Sequence, residues 1–346
     1  METILFLAHT EADGSLGKAA LEALTSAKSL ATGLAGSPLI AGLVGGDVQP
    51  AANQIASCGA VKILGVASAD FAPSRYSTDI VAVEALAKAA ASTIIVAPAT
   101  SRWNRVLAGA AQRLGGRIDA HATGISAADG KLSLTRWYYR QRMEAVVQRT
   151  RRPWFILLES GCADAWTGAA GTATVEAVAV ALTEANQRTT VTGVQAPPTD
   201  EQTIRPDAKV LFVAGAGWTK KQADGQAHSD EAEKLILGFL ARTKASLGST
   251  KSLVDLSGEG QAVLKFMTHL NQVGQTGSTP RHPKGLATCC HGEEPHTVGW
   301  RFINERRAIN LNPGCSWAQG KADVLYVADA FAVMRKINAL LSATQG

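Results

Sequence analysis

The sequence has no apolar run long enough for a membrane span and only five cysteines among its 346 residues. A transmembrane helix needs about 20 consecutive apolar residues, so we expect no membrane span. Cysteines that are odd in number and irregularly spaced do not form a disulfide framework, which fits a reducing compartment. The opening residues 1–9 lack a basic start and a small-residue cleavage site, and they are predicted to form a strand, not a signal peptide. We therefore expect a cytoplasmic protein.

A large excess of charge is also missing, because the formal net charge is only +5. Lysine and arginine cluster locally, for example at Arg149, Arg151 and Arg152, but acidic residues are interleaved elsewhere. Such clusters are more often solvated faces than phosphate contacts. No nucleic-acid-binding motif accompanies them, so we expect no nucleic acid as a partner.

The first half of the chain alternates short apolar runs with segments that favour helix. This alternation is typical of an α/β layer with a parallel sheet. Asp129-Gly130 then signals a hairpin, and the strand-like runs around it predict an antiparallel addition. The predicted strands are Ile4–His9, Leu39–Gly45, Lys62–Ala67, Thr93–Pro98, Leu132–Tyr139, Glu144–Arg149 and Trp154–Glu159, and the predicted helices are Gly17–Ala35, Ala51–Cys58, Thr78–Ala90 and Asn104–Leu114.

The length of the chain predicts two domains. A polar stretch containing Ala196-Pro197-Pro198 is typical of a linker, and strand and helix patterns resume beyond it. We predict an N-terminal α/β domain at residues 1–190, a linker at 191–206 and a doubly wound domain at 207–346. The elements predicted in the last domain are strands Lys209–Ala214, Arg307–Leu311 and Val324–Asp329, helices Asp230–Thr243 and Ala330–Ser342, and a strand or loop at Ser252–Leu256.

A glycine-rich turn from Asn271 to Gly277, followed later by Gly292 and His296, is the most informative feature of the sequence. Glycine allows the backbone to approach a cofactor closely, because it has no Cβ. Thr276 offers a hydroxyl, and His296 offers a ring N–H or a positive charge. This combination suits a flavin ring, which presents carbonyls and nitrogens along one edge and gains electron density on reduction.

Taken in order, segments of both halves resemble the alpha subunit of the electron transfer flavoprotein family. Val273–Gly277 matches the family's flavin turn in full, and Pro295 and Ala216 are departures from neighbouring motifs. Lys251 stands where the family has arginine, and a lysine is a point charge whereas arginine is a planar fork. The other matching segments are Ala97-Pro98-Ala99-Thr100, Gly215-Ala216-Gly217, Gly248–Asp255, His291–His296, Ala308-Ile309-Asn310 and Ala322-Asp323.

The resemblance implies an electron carrier, not an enzyme. It implies a heterodimer with a beta subunit, FAD bound in residues 207–346, a flavin dehydrogenase as electron donor and a quinone-linked acceptor. Within the flavin site it implies a hydrogen bond from Thr276 near N5, positive charge from His296 and Lys251, and an adenosine contact from Asn310. The full set of implied FAD-binding residues is Gly215, Lys251, Gln275, Thr276, Gly277, Gly292, His296, Asn310 and Asp323.

Other interpretations remain open from the residues alone. Thr276 could satisfy only its own turn, His296 could cap a helix, and Lys251 could be solvated. The chain could be a stand-alone flavin- or nicotinamide-dependent oxidoreductase, or a structural subunit without flavin. Cys289-Cys290-His291 invites a metal site, but adjacent cysteines are poor co-ligands, so we predict that the cysteines, Cys58 and Cys162 included, pack as small apolar groups.

Overall fold

The chain divides into two compact units, Met1–Gln195 and Ala196–Gly346. The computed structural model describes residues 2–128, 130–138, 143–193, 204–205, 208–255, 264–274, 282–288, 303–314 and 322–343. Each unit contains its own β-sheet with helices, so the predicted two-domain α/β fold class is confirmed. Among the described residues, no helix is both long and apolar enough to cross a bilayer.

The first unit is built on a nine-stranded mixed sheet whose order is β7-β6-β5-β8-β4-β1-β2-β3-β9. Strands β5, β8, β4, β1, β2, β3 and β9 run parallel to one another. Strand β6 pairs antiparallel with β5, and β7 pairs antiparallel with β6. The strands are β1 Ile4–His9, β2 Leu39–Gly45, β3 Lys62–Ala67, β4 Ile94–Pro98, β5 Arg117–Ala128, β6 Lys131–Tyr138, β7 Met143–Val147, β8 Trp154–Leu158 and β9 Glu176–Ala177. The helices are α1 Lys18–Gly33, α2 Gln49–Gln54, α3 Tyr76–Ala89, α4 Ser101–Arg113 and α5 Glu184–Gln187.

Strand β8 corrects one sequence prediction. The sequence predicts Trp154–Glu159 as part of the antiparallel addition. In the structure, Trp154–Leu158 instead pairs in parallel with β4 on one side and with β5 on the other. All five of its residues are buried, and a continuous apolar run is typical of a parallel strand that is covered on both faces. The antiparallel addition therefore consists of β6 and β7, with β5 as the strand that joins it to the parallel sheet.

Two apolar layers cover the two faces of this sheet. Alanine and leucine side chains of α1 pack on one face with Ile4, Phe6 and Trp154. Helices α3 and α4 cover the other face, where Trp103 is completely buried. Helix α4 begins after Thr100, whose hydroxyl accepts a hydrogen bond from the backbone N–H of Trp103 at 3.3 Å, as is typical of an N-cap.

The second unit is built on a five-stranded sheet of order β11-β10-β12-β13-β14, in which all pairs are parallel. Helices α6 and α8 pack side by side on one face of it, where the Asn338 side chain donates to Leu235 O at 2.9 Å. The strands are β10 Val210–Ala214, β11 Ser246–Ser249, β12 His282–Thr288, β13 Ile303–Asn310 and β14 Val324–Val327, and the helices are α6 Ser229–Thr243, α7 Lys251–Asp255 and α8 Ala330–Ala343.

Helix α7 also differs from the sequence prediction, which has a strand or loop at Ser252–Leu256. Lys251–Asp255 is helical instead, and the strand in this part of the chain is the preceding β11. Thr250 is fully buried, and its hydroxyl accepts a hydrogen bond from the N–H of Leu253 at 3.4 Å. A threonine in this position favours the start of a helix, so the chain turns from strand to helix at Thr250.

Candidate functional site

The carboxyl ends of the strands in the second unit form the edge at which a ligand site is expected. Strands β11 and β12 flank β10 on opposite sides, so the strand order reverses next to β10. In open parallel sheets, ligands bind outside the carboxyl ends of the strands at such a reversal. The residues that end or follow these strands are Gly215, Ser249, Thr288, Asn310 and Asp329.

Gly215 lies at the reversal itself. It follows β10 and precedes a 3-10 turn at Ala216–Thr219, and its backbone N–H donates to Thr288 O at 3.1 Å. The indole N–H of Trp218 donates to the hydroxyl of Thr288 at 2.7 Å, and that hydroxyl donates to Val213 O at 3.0 Å. Trp218 is 1% exposed. Its buried ring therefore lies against the carboxyl ends of β10 and β12, on the side of the protein interior.

Lys251 lies at the same edge, as the exposed first residue of α7 after β11. The preceding Thr250 donates its backbone N–H to Ala214 O at 2.9 Å, which holds the start of α7 against the end of β10. The hydroxyl of Ser249 is buried and has no hydrogen-bond partner among the residues that the structure describes. The end of β11 therefore presents one cationic side chain and one unsatisfied hydroxyl.

The first part of the predicted flavin turn is fixed beside β11. Val273 donates its N–H to Ser249 O at 3.0 Å, and the side chain of Asn271 donates to Leu247 O at 3.3 Å. Gly274 has a φ of 86°, a left-handed backbone conformation that glycine adopts readily. The predicted site residues that follow, Gln275, Thr276, Gly277, Gly292 and His296, lie outside the described residues.

Asn310 ends β13 and is fully buried. Its side-chain oxygen accepts the backbone N–H of Asn312 at 2.9 Å, and its side-chain nitrogen has no hydrogen-bond partner in the described part of the chain. A buried polar atom without a partner is uncommon, and such atoms often mark the place of a ligand or a water molecule. Asn310 therefore offers a free donor at the carboxyl edge.

Asp323 is placed differently from the other predicted residues. It precedes β14 and pairs with Arg306 in the middle of β13, with 3.0 Å between Oδ1 and Nη2. Burial alone would raise the pKa of Asp323, but hydrogen bonds and charge from Arg306 outweigh burial and lower it. The structure therefore brings Gly215, Lys251 and Asn310 to one edge of the sheet, whereas Asp323 lies about four residues, or ~13 Å, before that edge.

A cavity of about 620 Å³ opens at this edge between Leu311, at the end of β13, and the loop before α6. Asp329 lines it and accepts the N–H of Ala332 at 2.7 Å, as a cap of α8. Asp224 and His228 line the opposite side, with 2.7 Å between Oδ2 and Nε2. The pKa of Asp224 is lowered, first by the N–H of Gln226 and then by His228.

The residues of this cavity were not predicted from the sequence. Asp329 had a usable signal, because it follows a strand and precedes a helix, which places it at the carboxyl edge. Trp218, which follows β10 and does not line this cavity, had no such signal in the sequence. Its hydrogen bond to Thr288 joins residues that are 70 positions apart.

The unsatisfied atoms fit an elongated ligand that lies along the edge. Ser249 Oγ and the side-chain nitrogen of Asn310 are both buried, and neither has a hydrogen-bond partner within the described ranges. They belong to β11 and β13, which are three strand positions apart, or ~14 Å at about 4.8 Å per strand. A dinucleotide such as FAD has polar groups along its whole length, so these residues fit it.

A metal centre has no support among the described residues, where no group of three or more histidine, cysteine and acidic side chains is placed to hold an ion. Cys58 is buried in the apolar core of the first unit and Cys162 packs against that core, as predicted. Burial raises the pKa of the Cys58 thiol. Cys289, Cys290 and Cys315 lie outside the described residues.

Comparison with known proteins gives one finding for the first unit. The sequence model of the family described as "Electron transfer flavoprotein domain" matches residues 4–183. The match extends from β1 to the segment just before α5. Among curated proteins, the search found no match to the chain.

Proposed function

The chain belongs to the electron transfer flavoprotein family, since the family model covers residues 4–183 of its 346 residues, and from this premise we propose that it is an alpha-type subunit that binds FAD. The family supports an electron-transfer role for the chain. In our proposal, the chain joins a beta-type subunit, takes electrons from a flavin dehydrogenase and passes them toward a quinone-linked acceptor.

The observation that carries the FAD proposal is the buried, unsatisfied side-chain nitrogen of Asn310 at the carboxyl edge of the second sheet. A donor in this position costs free energy unless a ligand or water accepts its hydrogen bond. Ser249 presents a second unsatisfied group along the same edge. We assign these two residues to hydrogen bonds with the cofactor.

The nucleotide half of FAD is assigned to the cavity between β13 and the loop before α6. Its volume of about 620 Å³ lies within the range usual for cofactor pockets. The Asp329 carboxylate accepts hydrogen bonds and suits ribose hydroxyl groups, and His228 and Lys221 suit phosphate. This assignment leaves the part of the edge next to β10 and β11 for the flavin ring.

When bound, FAD supplies the one- and two-electron chemistry, and the protein supplies binding, orientation and electrostatics. Lys251 places a positive charge at the end of β11, where it favours the extra negative charge of a reduced flavin. Thr276 and His296 are proposed to hydrogen-bond the ring. The buried ring of Trp218 packs beneath the carboxyl ends of β10 and β12 and keeps water from them on the interior side.

Co-expression of the chain with a beta-type subunit tests this proposal. We expect a yellow complex from which about one FAD per chain can be extracted, because one site is built along the edge. Thr276→Ala and His296→Ala should each reduce the FAD content, whereas Thr32→Ala and His121→Ala, on exposed side chains of the first unit, should leave it unchanged.

Two outcomes count against it in different ways. A complex that is colourless and yields no FAD on extraction contradicts the cofactor proposal and favours a structural subunit without flavin. A complex that keeps its flavin in both site variants contradicts the placement of the ring at Thr276 and His296 but not the electron-transfer role.

A further inference from the structure

A second cavity, of about 550 Å³, lies between the sheet of the second unit and helices α6 and α8. Leu286 and Ile309 line it from the strands, and Val333 and Ile337 line it from α8. The two helix residues are four positions apart and therefore face the same side of α8. We call this cavity the α8 groove.

The groove continues onto the exposed strand β14. Val324, Tyr326 and Val327 are 40%, 44% and 55% exposed, and β14 is an edge strand of the described sheet. Edge strands of stable monomers are usually protected by charged residues or proline, but β14 reads Val-Leu-Tyr-Val. Exposed apolar patches of this kind mark interaction surfaces.

The polar residues of the groove are cationic. Lys284 and Arg307 line it and are 59% and 51% exposed at their side chains, and Arg307 donates to the hydroxyl of Tyr326 at 3.4 Å. Both cations share one acidic neighbour, Glu305, at 3.9 and 3.8 Å. Two cations with one carboxylate leave the groove with a positive rim, and its described lining contains no acidic residue.

We propose that the α8 groove binds an amphipathic helix of a partner protein, with apolar residues at helical spacing and acidic residues beside them. Helix-in-groove binding uses such apolar anchors, and the acidic flank complements Lys284 and Arg307. A small ligand explains less, because the exposed apolar surface extends to Val324, which does not line the cavity. That this partner is the second subunit rests on the proposed function, whereas the groove is defined without it.

A pair of labelled helical peptides tests the groove directly on the full chain. Both carry leucine at positions i, i+3, i+4 and i+7, and one has glutamate at the remaining positions whereas its twin has lysine. By fluorescence anisotropy, the acidic peptide should bind at least about tenfold more tightly than the basic twin, a difference of about 1.4 kcal/mol. Equal binding of the two peptides would overturn the proposal.

Variants of exposed residues locate the binding without disturbing the core. Val327→Glu should weaken the acidic peptide at least about fivefold, and Arg307→Glu should shift the preference toward the basic twin. The matched controls are Leu237→Glu and Lys234→Glu, which change exposed residues of α6 outside the groove. If the controls weaken binding as much as the groove variants, the peptide binds elsewhere and the proposal fails.

Two further measurements separate this proposal from its rivals. Sedimentation should show that the chain does not dimerise through the groove, and a dimer that Val327→Glu dissociates would make a second copy the occupant and overturn the proposal. FAD content should be unchanged in Arg307→Glu, because Arg307 lies three residues before the carboxyl end of β13. An unchanged chain that binds FAD but not the acidic peptide would contradict only the groove proposal, and one that binds the peptide but not FAD would contradict only the FAD proposal.

Discussion

Asn310 is completely buried, and its side-chain nitrogen has no acceptor among the described residues. Its oxygen is already used by the N–H of Asn312, so rotation of the amide would not remove the unsatisfied group. A native protein tolerates such an atom where a ligand completes the hydrogen bond. Asn310 is therefore the described residue at which the loss of one polar atom should affect cofactor binding most directly.

Asn310→Asp keeps the shape of the side chain but replaces the donor with an acceptor. We expect FAD affinity to fall by about tenfold, because one hydrogen bond to a ligand contributes about 1 kcal/mol and the new oxygen repels an acceptor. Titration of the apoprotein with FAD, followed by flavin fluorescence, measures this change.

Asn338→Asp is the matched control for this substitution. Asn338 donates to Leu235 O on the packed face of α6 and α8, away from the carboxyl edge, so its replacement should cost stability without changing FAD affinity. Equal FAD affinity in Asn310→Asp and the unchanged chain would remove Asn310 from the cofactor site.

At the residue scale, the sequence indicated where a residue lies when its strand had a clear apolar pattern, and the binding roles of these residues stay predictions. Gly215 and Asn310 follow or end apolar runs, and the structure places both at the carboxyl edge. Asp323 precedes β14 and pairs with Arg306, a position that a short matching motif does not indicate, and its role in binding stays a prediction. The Trp218 contact with Thr288 could not be predicted, since it depends on two strands that are distant in sequence.

At the scale of elements, Asp119 connects three strands of the first sheet and the segment that follows β7. It lies on β5, is 1% exposed, and accepts hydrogen bonds from Arg136 on β6, from Arg149 after β7 and from the indole of Trp154 on β8. The carboxylate therefore ties the antiparallel addition to the parallel sheet.

Asp119→Asn should lower the free energy of unfolding by about 3 kcal/mol, because removing one partner of a buried ion pair leaves the other charges uncompensated. Denaturant titration followed by tryptophan fluorescence measures this loss. Asp164→Asn, an exposed carboxylate in the same unit, is the control and should change the free energy of unfolding little. A loss no larger than that of the control would show that Asp119 does not hold β5 to β8 together.

The same residue predicts a pH dependence. Burial would raise the pKa of Asp119, but Arg149, the Trp154 N–H and Arg136 outweigh burial and lower it. Its contribution to stability is therefore complete above the unfolded-state value of about 3.9 and is lost as the pH falls through the folded-state value. The stability difference between Asp119→Asn and the unchanged chain should accordingly shrink in acid, whereas a constant difference would contradict this sign.

Elements were predictable where their apolar pattern was strong. Strands β1, β2 and β3 have the predicted bounds, because each is a short apolar run between polar breaks. Strand β11 was missed because Ser-Leu-Gly-Ser carries almost no apolar signal, and β12 was missed because it begins with His-Pro-Lys-Gly. Both lie beside β10 and obtain their strand conformation from parallel pairing with it.

At the scale of the whole molecule, the two units have separate apolar cores. The two core clusters of the first unit contain only residues up to Leu182, and the two of the second contain only residues from Ile204 onward. The family match covers the first unit, whereas the proposed FAD site is confined to the second. The proposed cofactor binding and the region that matches the family model can therefore be examined separately in one chain.

Separate cores predict two unfolding transitions in calorimetry. FAD should raise the midpoint of one of them only, because a ligand stabilises the unit to which it binds, by about 2.7 kcal/mol at a free concentration of 100 times Kd. Asp119→Asn should lower the other midpoint, since Asp119 belongs to the first unit.

The two perturbations identify the transitions independently of each other. If FAD and Asp119→Asn acted on the same transition, the cofactor would bind the first unit and the carboxyl edge of β10 to β14 would lose its role. A single transition that responds to both would show that the units unfold cooperatively, and the cores of the two units would then be coupled despite sharing no residue.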